Sequence, residues 1–143
     1  MDRREFLKTL ALTGAAVTMK WDGVMDIMAQ NTSQAGGCDL VAVMGGEPAE
    51  MFRKAIAEFG GMGKFVKAGQ KVVVKPNIGW DKVPELAGNT NPKLVAEIVK
   101  QCLAAGAKEV TVFDHTCDDW QKCYKNSGIE EAAKAAGAKV MPA

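Results

Sequence analysis

From residue 40 onward, short continuous apolar runs alternate with segments of helical period, and this alternation leaves the chain few folds. Leu40-Val41-Ala42-Val43-Met44, Lys71-Val72-Val73-Val74-Lys75 and Glu109-Val110-Thr111-Val112-Phe113 each read as a strand. Lys139-Val140-Met141 starts a fourth. Runs this short and this continuously apolar belong to strands buried in a parallel sheet. Between them, Glu47 to Phe59 carries Met51, Phe52, Ala55, Ile56 and Phe59 on one helical face. Pro92 to Ala105 carries Leu94, Val95, Ile98, Val99, Cys102 and Leu103 on another. Asn91 suits the cap of that helix and Pro92 its first turn. Trp120 to Asn126 and Ile129 to Ala136 read as two short helices closed by Gly128 and Gly137. Strand–helix–strand units close by right-handed crossovers. The expected fold is therefore α/β: three-layer, a mostly parallel sheet with alternating strands and helices, incomplete at its C-terminus. A fourth strand without a following helix leaves one sheet face poorly covered, as in a fragment.

The first residues follow a different logic. Asp2-Arg3-Arg4-Glu5-Phe6-Leu7-Lys8 reads as a twin-arginine export signal, carried by Arg3, Arg4, Phe6, Leu7 and Lys8. Thr9 to Met19 is a mildly apolar stretch closed by Lys20. That is the signal-peptide layout, and the run is too short for a membrane span of roughly 20 residues. Twin-arginine signals are addresses read by a receptor rather than anchors. The expected organisation is residues 1–35 as signal peptide and polar linker, and residues 38–143 as the N-terminal part of an α/β domain. The expected location is exported, periplasmic or extracytoplasmic. The twin-arginine translocase is the expected partner, without a permanent membrane span. Eighteen basic residues against 17 acidic ones, with no basic run, give no electrostatic footprint for nucleic acid.

In open parallel sheets, ligands bind beyond the carboxyl ends of the strands. Applied here, the rule gathers the chemistry-bearing residues at one rim. Lys75 and Asn77 follow one strand, and Asp114, His115 and Cys117 follow the next. Asn77 to Thr90 has neither period and reads as a long loop, the kind that often carries function. It delivers Asn89 and Thr90 to the helix start at Asn91, where free amides favour an anion. Lys75, Asn77, Asn89, Thr90 and Asn91 are the candidate ligand-binding residues for a small-molecule ligand. Asp114 and His115, the single histidine, are the candidate proton-handling pair. Each has a plainer reading: a strand-end charge for Lys75, turn and helix caps for Asn77, Asn91 and Asp114, an exposed histidine for His115.

Cys117 and Cys123 stand in a C-x5-C spacing beside His115. The exported context permits disulfides. The pair is a candidate for metal ligation, for a short disulfide or for two free thiols. The spacing matches none of the usual zinc or iron–sulfur patterns. Cys102, inside a helical apolar face, reads as core.

Together, Lys75-Pro76-Asn77, Asn89-Thr90-Asn91-Pro92, Ala105-Gly106-Ala107, Glu109-Val110-Thr111-Val112 and Ser127-Gly128-Ile129 resemble the bacterial and archaeal domain-of-unknown-function family 362 (DUF362). The resemblance runs from about Leu40 to Ala143 and covers the first half to two-thirds of that domain. It implies an α/β protein without an established general activity. Some members carry ferredoxin-type iron–sulfur segments or export leaders. This chain lacks a ferredoxin cysteine run, so the cofactor stays unknown, with iron–sulfur or another metal as the class the resemblance suggests. The functional expectation is an exported redox-associated or anion- or metal-ligand-binding enzyme or accessory protein. The alternative is a non-catalytic extracytoplasmic binding module.

Overall fold

Strand β1 (Lys71–Val74) forms because three consecutive β-branched valines favour extended backbone, and it stops where Pro76 has no amide to donate. The computed structural model describes residues 38–142, so the signal residues Arg3, Arg4, Phe6, Leu7 and Lys8 lie outside it. Helix α1 (Pro48–Glu58) precedes β1, and α2 (Pro92–Ala104), β2 (Glu109–Val112), α3 (Trp120–Asn126), α4 (Ile129–Ala135) and β3 (Lys139–Val140) follow it. The strands lie in the order β1-β2-β3, all parallel. Val72 stands opposite Val110, Val74 opposite Val112, and Val112 opposite Val140. The expected α/β parallel architecture is the one observed.

Each strand is added on the same side of the last, so right-handed crossovers put α2 and α4 on one face of the sheet. Accordingly α2 packs on β1, β2 and α4, while α4 packs on β3. Val110 and Val112 face these helices and are buried, as are Val95, Val99 and Cys102 of α2. Full burial of a valine contributes about 1.5–3 kcal/mol, so this layer supplies much of the stability. Burial also pushes the Cys102 thiol above its ordinary pKa. On the opposite face Val73 is 59% exposed. The described helices thus cover one face rather than two.

One expected strand is absent. Leu40–Met44 forms no strand, with Leu40 and Met44 83% and 85% exposed. Apolar content alone does not make a strand; a hydrogen-bonded neighbour does, and none among the described residues pairs with this stretch. Elsewhere the elements agree within a residue or two. Helix α1 still docks on α2, where Arg53 reaches the nearly buried carboxylate of Glu97 at 2.7 Å. Gln101 also donates to Glu97, and with Arg53 it holds that carboxyl below its ordinary range against burial.

Two glycines answer to close approach. Gly106, which closes α2, has φ +95°, and a Cβ there would meet the Ala68 backbone at 3.1 Å. Gly79 lies in the loop after β1, where a Cβ would stand 3.0 Å from Asn77 Oδ1.

Candidate functional site

Register brings the rim together. Because Val74 stands opposite Val112, Lys75 on one strand and Phe113-Asp114 on the next leave the sheet at the same carboxyl-end rim. The Lys75 ammonium pairs with Asp114 Oδ1, and Asp114 Oδ2 accepts the Ile78 amide at 2.8 Å. Asp114 is 4% exposed, and Ile78 is fully buried. Burial opposes ionisation of this carboxyl. The Ile78 amide, Lys75 and the His115 amide together outweigh it and hold the pKa below the ordinary carboxylate value. A carboxylate so fully engaged is a weak base. It orients Lys75 rather than taking up protons. Lys75 itself remains exposed at its tip, with donors free for a second anion.

His115, next to Asp114 in the chain, and Cys117, at the Gly79 carbonyl, are both exposed. The His115 side chain is thus accessible at the rim, while Asp114 is locked in place.

The amides expected to bind ligand are occupied in folding the loop. Asn77 donates its backbone N–H to Thr90 Oγ1 at 2.9 Å and accepts the Thr90 amide in return. Its side chain donates to the Gly88 carbonyl and accepts the Gly79 amide. Asn89 accepts the Trp80 amide and donates to the Trp80 and Lys82 carbonyls. Asn91 caps α2 by accepting the Lys93 amide at 2.9 Å. These residues fasten the 77–90 loop and the start of α2, with the side-chain amides of Asn77 and Asn89 engaged at both oxygen and nitrogen.

Cys117 and Cys123 meet the same loop. The Cys117 and Asp118 amides and the Cys123 thiol all donate to the Gly79 carbonyl, at 2.8, 3.2 and 3.6 Å. Both thiols are free, Cys117 exposed and Cys123 buried. Burial, with the charges of Asp118, Asp81 and Asp119 nearby, pushes the Cys123 thiol above its ordinary value. Among the described residues, no three His, Cys, Asp or Glu side chains converge to hold a metal ion. An iron–sulfur cluster needs four such ligands, usually thiolates, so this donor set does not fit one.

Sequence reasoning passes over Tyr124, yet this residue organises the rim from below. Its hydroxyl accepts the Asp114 amide at 2.7 Å and faces the Asp114 and Met141 carbonyls at 2.9 and 3.0 Å. Burial raises its pKa, so it stays a neutral hydroxyl. The one signal in the sequence is that it is the chain's single tyrosine. A groove of ≈ 390 Å³ lies between α2 and α4, lined by Pro92, Ala96, Lys100, Glu131 and Ala132, and does not include the rim residues. Its charged residues, Lys93, Lys100 and Glu131, are all exposed, whereas the rim holds the buried carboxylate Asp114.

Parallel strands, a covering helix layer on one face and a charged rim at the strand ends define an α/β protein of the open-sheet class. The chain belongs to the family described as Domain of unknown function (DUF362), which matches residues 72–143, half of its length. No curated protein and no solved structure matches it. No described helix is long and apolar enough to cross a membrane.

Proposed function

We propose that this protein is exported through the twin-arginine translocase and binds a small anionic ligand at the rim formed by the carboxyl ends of β1 and β2. The observation that supports this reading is the Lys75–Asp114 pair, an exposed ammonium oriented by a buried carboxylate at neighbouring strand ends. Lys75 supplies the charge, and Asp114 holds it in place without competing for the ligand's protons. His115, exposed and next to Asp114 in the chain, is the group able to exchange a proton with whatever binds. The 77–90 loop, fastened by Asn77, Asn89, Thr90 and the Asn91 cap, frames the site instead of contacting the anion through those amides.

Asp114 is not the general base of such a site, because this buried carboxylate is fully partnered and its pKa is lowered. General-base work calls for a group poised near neutrality. A metal-bearing anion satisfies the same contacts as a plain one. Metal content and visible spectrum of the purified precursor separate the two.

The test uses inorganic phosphate as probe and calorimetric titration of the full chain. Lys75→Met is expected to weaken binding about tenfold, the loss of one charge-assisted contact of roughly 1.5 kcal/mol. Its urea midpoint should barely move. Unchanged affinity in Lys75→Met overturns the rim assignment. Export is tested separately, by replacing Arg3 and Arg4 with lysine and following the mature protein by cell fractionation. Undiminished export of that variant overturns the address.

A further inference from the structure

We propose that Cys117 and Cys123 are a dithiol–disulfide pair, a redox modification site that closes across the start of α3. Both residues press on one atom: the Cys117 amide and the Cys123 thiol donate to the Gly79 carbonyl at 2.8 and 3.6 Å. Cys117 Sγ also lies 3.7 Å from the point a Gly79 Cβ would occupy, so the missing side chain leaves room for sulfur on that side. Asp119 caps α3 by accepting the Lys122 amide at 3.0 Å. The cap fixes where α3 begins, and the shared Gly79 carbonyl, rather than the helix start itself, is what gathers the two residues. Cys117 lies two residues before the cap, and Cys123 ends the first turn.

The two thiols are unequal in the way an exchange reaction requires. Cys117 is exposed and meets an external disulfide, while Cys123 is fully buried and is reached only from within. The Cys117 thiolate attacks one sulfur of a disulfide-bearing oxidant, forming a mixed disulfide and releasing the first thiolate. Cys123, as thiolate, then attacks the Cys117 sulfur and releases the second. Two thiol protons are lost, two electrons pass to the oxidant, and the oxidant leaves as two thiols. Burial keeps Cys123 from forming its own mixed disulfide, so the reaction ends in an internal bond. The Cys38 thiol donates to the Glu58 carbonyl and Cys102 lies in the apolar face of α2, so neither is drawn to Gly79.

Closing the bond withdraws the Cys123 thiol from the Gly79 carbonyl. Gly79 belongs to the loop that carries Asn77 and Trp80, so the rim would feel the change. That consequence rests on the rim reading above; the disulfide itself does not.

The experiment treats the full chain with oxidised glutathione in mildly alkaline buffer, alkylates residual thiols and digests without reduction. Trypsin cuts after Lys108, Lys122 and Lys125, putting Cys117 in peptide 109–122 and Cys123 in peptide 123–125. The expected product is these two peptides joined, and separated again on reduction. Cys123→Ser removes the second attack, so its glutathione adduct at Cys117 should accumulate about tenfold above wild type. A stable adduct at Cys117 in the wild type, with Cys123 alkylated, overturns the proposal. So does a product in which Cys117 is joined to Cys38. Because the readout is peptide mass, failure here leaves the ligand-binding measurement untouched.

Discussion

Replacing Asp114 by Asn removes one charge from a nearly dry position, and the cost can be apportioned from the two groups that face it. The Ile78 amide is fully buried and loses a charge-assisted bond of 2.8 Å. Such a bond contributes about 1.5–3 kcal/mol, because the donor has no water to turn to. The Lys75 side chain is 64% exposed, so its pairing is screened by solvent and contributes at most about 1 kcal/mol. The replacement amide keeps one carbonyl oxygen for Ile78, which returns part of the loss. The expected destabilisation of Asp114→Asn is about 2 kcal/mol, and that of Lys75→Met below about 1 kcal/mol. For a domain near 100 residues the first corresponds to a fall in Tm of roughly 10 °C. The pH dependence follows from the sign of the shift. A carboxyl whose folded pKa is lowered stabilises the fold above its unfolded value of about 3.9 and loses that contribution as pH falls through the folded value. The gap between wild type and Asp114→Asn should therefore narrow in acid. Urea unfolding followed by tryptophan fluorescence, across pH, measures all of this. Equal stability of Asp114→Asn and wild type at neutral pH would refute the reasoning. A Lys75→Met variant as unstable as Asp114→Asn would refute the division between the two partners.

Other substitutions probe the supports of the rim. Tyr124→Phe leaves the buried Asp114 amide without its hydroxyl acceptor and should cost about 1–3 kcal/mol in urea unfolding, with unchanged far-ultraviolet circular dichroism. Gly106→Ala forces a Cβ onto a left-handed φ and against the Ala68 backbone, and should cost at least about 1 kcal/mol by thermal unfolding. Arg53→Met strands the Glu97 carboxylate between α1 and α2, whereas the double variant with Glu97→Gln removes both charges. The double variant should recover part of the loss in a double-mutant cycle, since an unpaired buried charge is the costly state.

Much of this architecture was readable in advance, and the failures share a cause. The Val72–Val74 and Val110–Val112 runs, the Asn91 cap and the Gly106 closure act locally, so sequence exposes them directly. Leu40–Met44 has the same local character but no neighbour among the described residues to pair with, and pairing is a property of the whole sheet. At the rim, strand order and the carboxyl-end rule were enough to bring Lys75 and Asp114 together. The roles were harder. Whether Asn77 or Asn89 greets a ligand or fastens a loop depends on which backbone groups lie within hydrogen-bond reach, and spacing does not reveal that. Tyr124 stayed hidden for the same reason, since its hydroxyl serves residues 10 and 17 positions away.

Amide chemical-shift mapping of the full chain during titration with inorganic phosphate tests the ligand-binding rim most directly. The account predicts saturable shifts concentrated at Lys75, Ile78, His115 and Cys117, and their disappearance in Lys75→Met. Shifts confined to the α2–α4 groove around Ala96 and Ala132, or shifts that survive in Lys75→Met, would contradict it.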